Sequence, residues 1–199
     1  MSKISNIKDS KYGILNTIMI ISIIVSMDER RGIGKENRIP WHITEDLVRL
    51  KNLTIDHVTI LGRSSFESML SYYEKSGRLT MSQRTHIVVT RDPSYVVEEK
   101  YGLAVNSIEE AIKLAKEKEK EEAFIIGGQQ IFDQTIRIVD RLYLTIVDAR
   151  LDSPLESPAR RGDFNCDTFF PDYLNFTKII SEEEHESNGY KFKFLTLEK

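Results

Sequence analysis

The sequence predicts an α/β fold, a single domain on a mixed, mostly parallel central sheet of about eight strands flanked by helices, with a C-terminal antiparallel hairpin. Three observations carry that reading. Short β-branched runs alternate with stretches of helical spacing, which implies parallel strands covered on both faces. Two segments near the C-terminus are joined by Asn188-Gly189, the strongest short hairpin signal. A chain of 199 residues with no repeat or linker can also bury one large core, roughly 70% of its unfolded surface.

The most apolar stretch, Ile14 to Val25, is interrupted by Asn16, Thr17 and Ser22. It is shorter than the roughly 20 residues a membrane-spanning helix needs, and no small-x-small cleavage site follows it. Met19 to Val25 suits a strand buried on both faces. Asp28 to Ile43 reads as a loop, with Gly32, Gly34 and Pro40. Thr44 is placed to cap a short helix running through Leu53, with Leu47 and Leu50 on one face. His57 to Leu61 is a strand. Gly62-Arg63-Ser64-Ser65 opens the next helix, with Ser64 and Glu67 as a capping box.

Arg84 to Thr90 and Gly102 to Val105 are further strands. Ser107 with Glu110 forms a second capping box, ahead of Ile108, Ala111, Ile112 and Ala115 at helical spacing. Ala123 to Ile126 is a buried strand, followed by Gly127-Gly128 and a helix from Gln129 to Ile138. Leu142 to Val147 is a strand, and 152–163, with two prolines and Arg160-Arg161, is an exposed loop. Phe176 to Ser187 and Tyr190 to Leu197 form the hairpin.

Composition excludes several classes. With 28 Lys and Arg against 31 Asp and Glu, the chain lacks the basic balance that bulk nucleic-acid binding requires. Its one cysteine, Cys166, cannot form an internal disulfide, and four scattered histidines have no metal-ligand spacing. The expectation is a cytoplasmic protein with no metal, no membrane and no nucleic-acid partner, and a monomer rather than an oligomer.

Three loops at the carboxyl ends of strands carry unusual residues, where open α/β sheets bind ligands. The first runs from Gly32 to the sole tryptophan, Trp41, whose indole needs a partner when buried. The second is Gly62-Arg63-Ser64-Ser65, where a helix N-terminus and an arginine favour an anion. The third is Gly127-Gly128, where bare backbone could approach a phosphate. Asp46, in the first turn of the helix after Trp41, is the carboxylate that stands out, although an acid there also suits the helix dipole alone.

Taken together the segments resemble dihydrofolate reductase. The resemblance covers Met19 to Lys199. It rests on Ile33-Gly34-x-x-Asn37-x-x-Pro40-Trp41, Asp46-Leu47, Leu61-Gly62-Arg63 with Phe66-Glu67-Ser68, Ile126-Gly127-Gly128, Leu142-Tyr143-Leu144-Thr145 and Phe170-Pro171-Asp172-Tyr173, in that order. It implies a reductase-like domain over 19–199, with residues 1–18 as an N-terminal extension. It also implies reduction of 7,8-dihydrofolate by NADPH, with hydride going to C6 and a proton to N5, and binding of antifolate-type small molecules. On this resemblance Asp46 grips the pterin amidine edge, Thr145 bonds to Asp46, and water near Trp41 delivers the proton. A free Asp is only ~0.1% protonated at neutral pH, and burial raises that fraction.

Ile24, Leu47, Leu50, Met69 and Ile126 would wall the substrate, and Arg84 would clamp the glutamate tail's α-carboxylate. Ser26 and Ile33 would flank the nicotinamide, together with Ile126. Arg63, Ser64 and Ser65 would serve the pyrophosphate and adenosine side. Thr90 and Arg91 would take the 2′-phosphate. Gly127, Gly128, Gln129, Gln130, Ile131 and Phe132 would complete the cofactor site. Residues 28–43 would form a mobile lid steadied by Asp167. The chain departs from the pattern at Phe132, where many relatives have tyrosine, at Gln130, basic in some, and in its longer 152–163 loop. Two other readings remain at this stage: a pyrimidine reductase on the same fold, and a nucleotide-binding regulatory module without catalysis.

Overall fold

The computed structural model describes residues 19–76, 83–150 and 164–199. The N-terminal extension and the 152–163 loop lie outside these described residues. Ten strands and four helices follow in the order β1 (Ile20–Asp28), β2 (Gly32–Gly34), α1 (Thr44–Thr54), β3 (Val58–Gly62), α2 (Arg63–Ser76), β4 (Thr85–Val89), β5 (Gly102–Val105), α3 (Ile108–Lys118), β6 (Glu122–Gly127), α4 (Gln129–Thr135), β7 (Arg141–Arg150), β8 (Thr168–Phe169), β9 (Lys178–Ser187) and β10 (Tyr190–Glu198), counted among the described residues. Eight of the strands form one sheet, ordered β5-β4-β3-β6-β1-β7-β10-β9. The β1–β6, β1–β7, β3–β4, β3–β6 and β4–β5 pairs are parallel, and only β10 pairs antiparallel, with β7 and β9.

The central strands are apolar on both faces because helices cover both, so they carry continuous rather than alternating hydrophobicity. Ile23, Ile60, Ile87, Ile125, Leu142 and Leu144 are fully buried in this core. The outer strand β9 is the opposite: its side chains are mostly exposed and it carries Glu182, Glu183, Glu184 and Glu186. The hairpin turns through Asn188 at φ 52° and Gly189 at φ 77°. Two successive left-handed residues make the tight two-residue turn that matches strand twist.

Local details differ from the sequence reading at the helix starts. Helix α1 has Ile43 at its N-cap, with no side-chain cap, and Thr44 is its first helical residue. The Thr44 hydroxyl instead accepts from Asn188 Nδ2 at 3.2 Å. Helix α2 begins at Arg63, which puts Ser64 inside the helix rather than at its cap, and Glu67 pairs with Arg63 at 3.8 Å. The Ser107 cap does form, accepting from Glu110 N at 3.1 Å, while Glu110 reaches back to Asn106 N rather than to Ser107. Helix α4 ends at Thr135, three residues before Ile138. The small β2–β8 sheet was not foreseen, because three and two residues carry no periodicity.

Candidate active site

Strand register builds the first half of the site. Ser26 on β1 lies beside Thr145 on β7, and Thr145 lies beside Phe194 on β10. Partners in register point to the same face, so the three side chains form one row across the sheet. Helix α1 lies over that row. Asp46 meets its hydroxyls: Thr145 Oγ1 donates to Asp46 Oδ1 at 2.6 Å, and Ser26 hydrogen-bonds the same carboxylate. Trp41 Nε1 donates to Ser26 Oγ at 2.9 Å, which gives the buried indole its partner and ties the end of the 28–43 loop to Asp46. Ser26, expected beside the nicotinamide, thus spends its hydroxyl at the carboxylate end.

Burial pushes the Asp46 carboxyl above the ordinary aspartate value, opposed in turn by the Thr145 hydrogen bond, the Arg49 charge and the Ser26 hydrogen bond. The desolvation cost of the charged form outweighs these and the helix N-terminus on which the residue sits. Arg49, one turn later on α1, was missed by the sequence reading. Its Nη1 donates to Leu144 O at 2.8 Å and lies 3.4 Å from Thr145 Oγ1, while its guanidinium sits over the Phe194 ring, 4.4 Å from the centroid. The available signal was an arginine at i+3 from the singled-out carboxylate. Arg49 borders a cavity of about 580 Å³ behind α1, lined also by Glu45, Val48, Tyr143, Glu183 and Phe194.

Leu47 and Leu50 are half-buried on the other side of α1, while Ile24 is buried on β1. Met69 on α2 packs beside Leu61, Phe66 and Val88, with Ile126 in the same cluster. Arg84, at the head of β4, is buried, and its Nε donates to Thr54 Oγ1 at 2.6 Å. Thr54 in turn donates to Leu50 O at 2.6 Å, so the last turn of α1 orients the guanidinium.

Register also builds the second half. Leu61 pairs with Gly127, and Gly62 with Val89. The carboxyl ends of β6, β3 and β4 therefore bring Gly127-Gly128, Arg63-Ser64-Ser65 and Thr90-Arg91 to one end of the sheet. Gly127 has φ +125°, and a Cβ on Gly128 would stand 3.0 Å from Ser65 Oγ. Bare backbone there, with the first turn of α2 carrying no acidic residue, fits a pyrophosphate. Arg63 pairs with Asp92 at 3.2 Å and lies over Tyr95, while Thr90 is buried and Arg91 is exposed. Ser64, Gln129 and Gln130 are exposed and Ile131 is buried. The Phe132 ring closes against Gly127 and stands edge-on to Phe170 at 5.1 Å.

The loop between β1 and α1 is fastened to Asp167. Asp167 Oδ2 accepts from Glu36 N at 2.8 Å, and Asp167 N donates to Gly34 O at 3.0 Å. At its root the buried Asp28 accepts from the Arg30 and Gly32 amides, at 2.8 and 2.7 Å. Ile33 packs partly against the core.

Known proteins point the same way. A family model described as dihydrofolate reductase matches residues 20–199. Dihydrofolate reductase type 3 of Salmonella typhimurium is 35% identical over 186 residues, 91% of this chain and 99% of that protein. The Bacillus subtilis dihydrofolate reductase is 33% identical over 184 residues, 90% of this chain and 95% of that one. Among solved structures, a dihydrofolate reductase from Enterococcus faecalis, complexed with NADP(H) and RAB-propyl, superposes with a TM-score of 0.69 at 29% identity, covering 90% of this chain and 95% of that chain. The chain therefore belongs to the dihydrofolate reductase family, whose reaction is the NADPH-dependent reduction of 7,8-dihydrofolate to 5,6,7,8-tetrahydrofolate.

Proposed function

We propose that this chain carries out that reduction with Asp46 as its central catalytic residue. The observation that carries the proposal is the Trp41–Ser26–Asp46–Thr145 chain of hydrogen bonds around a half-buried carboxylate. A carboxylate offers two acceptor oxygens, which suits the paired N–H groups of a pterin's 2-amino and N3 edge. Thr145 fixes the rotation of the carboxylate, and Ser26 relates it to the indole. NADPH supplies the hydride that C6 accepts. Asp46 polarises the ring so that N5 becomes basic, and a water beside Trp41 passes the proton, because the carboxylate grips the opposite edge of the heterocycle.

Leu47, Leu50, Ile24 and Met69 exclude water from the ring and its aminobenzoyl extension. Arg84, oriented by Thr54, pairs with the tail carboxylate in a two-point fork. Gly127, Gly128 and the first turn of α2 cradle the pyrophosphate. Thr90 and Arg91 select a 2′-phosphate, and so favour NADPH over NADH. Antifolates of flat, amidine-like character compete for Asp46. The domain spans 19–199 and acts as a cytoplasmic monomer, a reading supported by the single cysteine and by the acidic outer strand β9.

Absorbance at 340 nm with dihydrofolate and NADPH tests the reaction. Turnover with NADPH well above that with NADH is expected. A module that only binds nucleotide would leave the absorbance unchanged, and an Asp46→Asn variant that kept full rate at neutral pH would overturn the residue's role.

A further inference from the structure

We propose that Arg49 is a positioning residue for the reduction, a fixed positive charge that holds Thr145 and acts on Asp46 from behind α1. This rests on Asp46 being the central carboxylate. Three contacts lock the guanidinium. Nη1 donates to Leu144 O at 2.8 Å and Nη2 reaches Thr196 Oγ1 at 3.5 Å, while the flat face covers Phe194 at 4.4 Å from the ring centroid. The carbonyl and the ring belong to adjacent strands, and Phe194 is the register partner of Thr145. The cation is thus aimed at the hydroxyl that serves the carboxylate. Nη1 to Thr145 Oγ1 is 3.4 Å and Thr145 Oγ1 to Asp46 Oδ1 is 2.6 Å.

The charges around this pair come from three elements. Asp46 and Glu45 lie on α1, Tyr143 on β7 and Glu183 on β9. Among the described residues Arg49 is the charged group acting on Asp46, and it favours the ionised carboxylate. Burial penalises the Arg49 charge, and the Asp46, Tyr143 and Glu183 neighbours offset that cost. The cation counteracts desolvation of Asp46. It keeps the carboxylate ionised enough to grip a pterin while leaving it more basic than a free aspartate.

The test compares the parent with Arg49→Met, which keeps length and removes charge, and Arg49→Lys, which keeps charge and loses the fork. Two readouts are used: single-turnover hydride transfer across pH, and ¹³C carboxyl NMR of Asp46, its signal assigned by its absence in Asp46→Asn. Loss of the cation disfavours the ionised form, so both midpoints move upward by about one pH unit in Arg49→Met. Arg49→Lys recovers at least half of that shift, and the KM for NADPH stays within about twofold, since Arg49 lies away from the Gly127-Gly128 turn. A folded Arg49→Met whose two profiles overlie the parent's overturns the proposal. If the carboxyl signal shifts while the parent shows no dihydrofolate-dependent turnover, the charge relation stands and the reductase reading fails.

Discussion

Asp46 is held at odds with the stability of the fold. A carboxyl whose folded pKa lies above its unfolded value costs stability as pH rises past the unfolded value, and the cost is complete above the folded one. Burial sets that direction here. Asp46→Asn should therefore raise the thermal midpoint by about 2–4 °C at pH 8, with the gain shrinking toward pH 4. The same variant should lose ~10²- to 10³-fold in hydride transfer at neutral pH. Calorimetry and a 340 nm assay on one preparation check both signs. In the parent, the rate should fall as pH rises, because the water beside Trp41 has fewer protons to pass to N5, whose basicity Asp46 sets. Thr54→Val should raise the KM for dihydrofolate several-fold with little change in kcat, since it removes the acceptor that orients Arg84. Asp46, Trp41 and Thr145 were legible in the sequence because their motif order is specific. Arg49 was not, because an arginine on an amphipathic helix is ordinarily a solvated one, and only the register of Phe194 with Thr145 reveals what it lies on.

At the level of elements, the 28–43 loop and the double-glycine turn are separable. Asp167 is exposed and joins that loop through two hydrogen bonds. Asp167→Ala should slow single-turnover hydride transfer several-fold while moving the thermal midpoint by less than about 2 °C, because an exposed residue contributes little to the core. Gly127→Ala should behave differently. Its φ of +125° is closed to a side chain, so it should cost about 1 kcal/mol or more of stability and weaken NADPH binding, measured by fluorescence, as well. The strands, and their helices, were legible from β-branched runs and spacing. Helix starts were less so: Thr44 and Ser64 are good capping residues by type, yet each lies inside the first turn, and the Thr44 hydroxyl serves Asn188 instead. The β2–β8 pair is nonlocal: Asp167 bonds Glu36 N and Gly34 O across a separation of 131 residues from Glu36, which no window of sequence records.

Over the whole molecule the sheet has two unequal edges. β5 is short, whereas β9 offers ten residues, most of them exposed. Such an edge invites pairing with another chain unless it is charged. Replacing Glu182 and Glu184 together by valine should shift the protein toward larger species in light scattering than the parent forms, with the reaction rate per folded chain nearly unchanged. The mixed sheet with its terminal hairpin was legible because alternation, helix signals and Asn188-Gly189 agreed with one another. Strand order was not, since β3 and β6 are neighbours across more than fifty residues of intervening chain. Cys166 has a practical consequence of its own. Its thiol lies against Asp28, and burial together with that carboxylate pushes its pKa up to about 11. Sulfur kept protonated is a poor nucleophile. Purified material should therefore survive storage in air without reducing agent, and should pass unlabelled through brief treatment with an alkylating reagent until it is denatured.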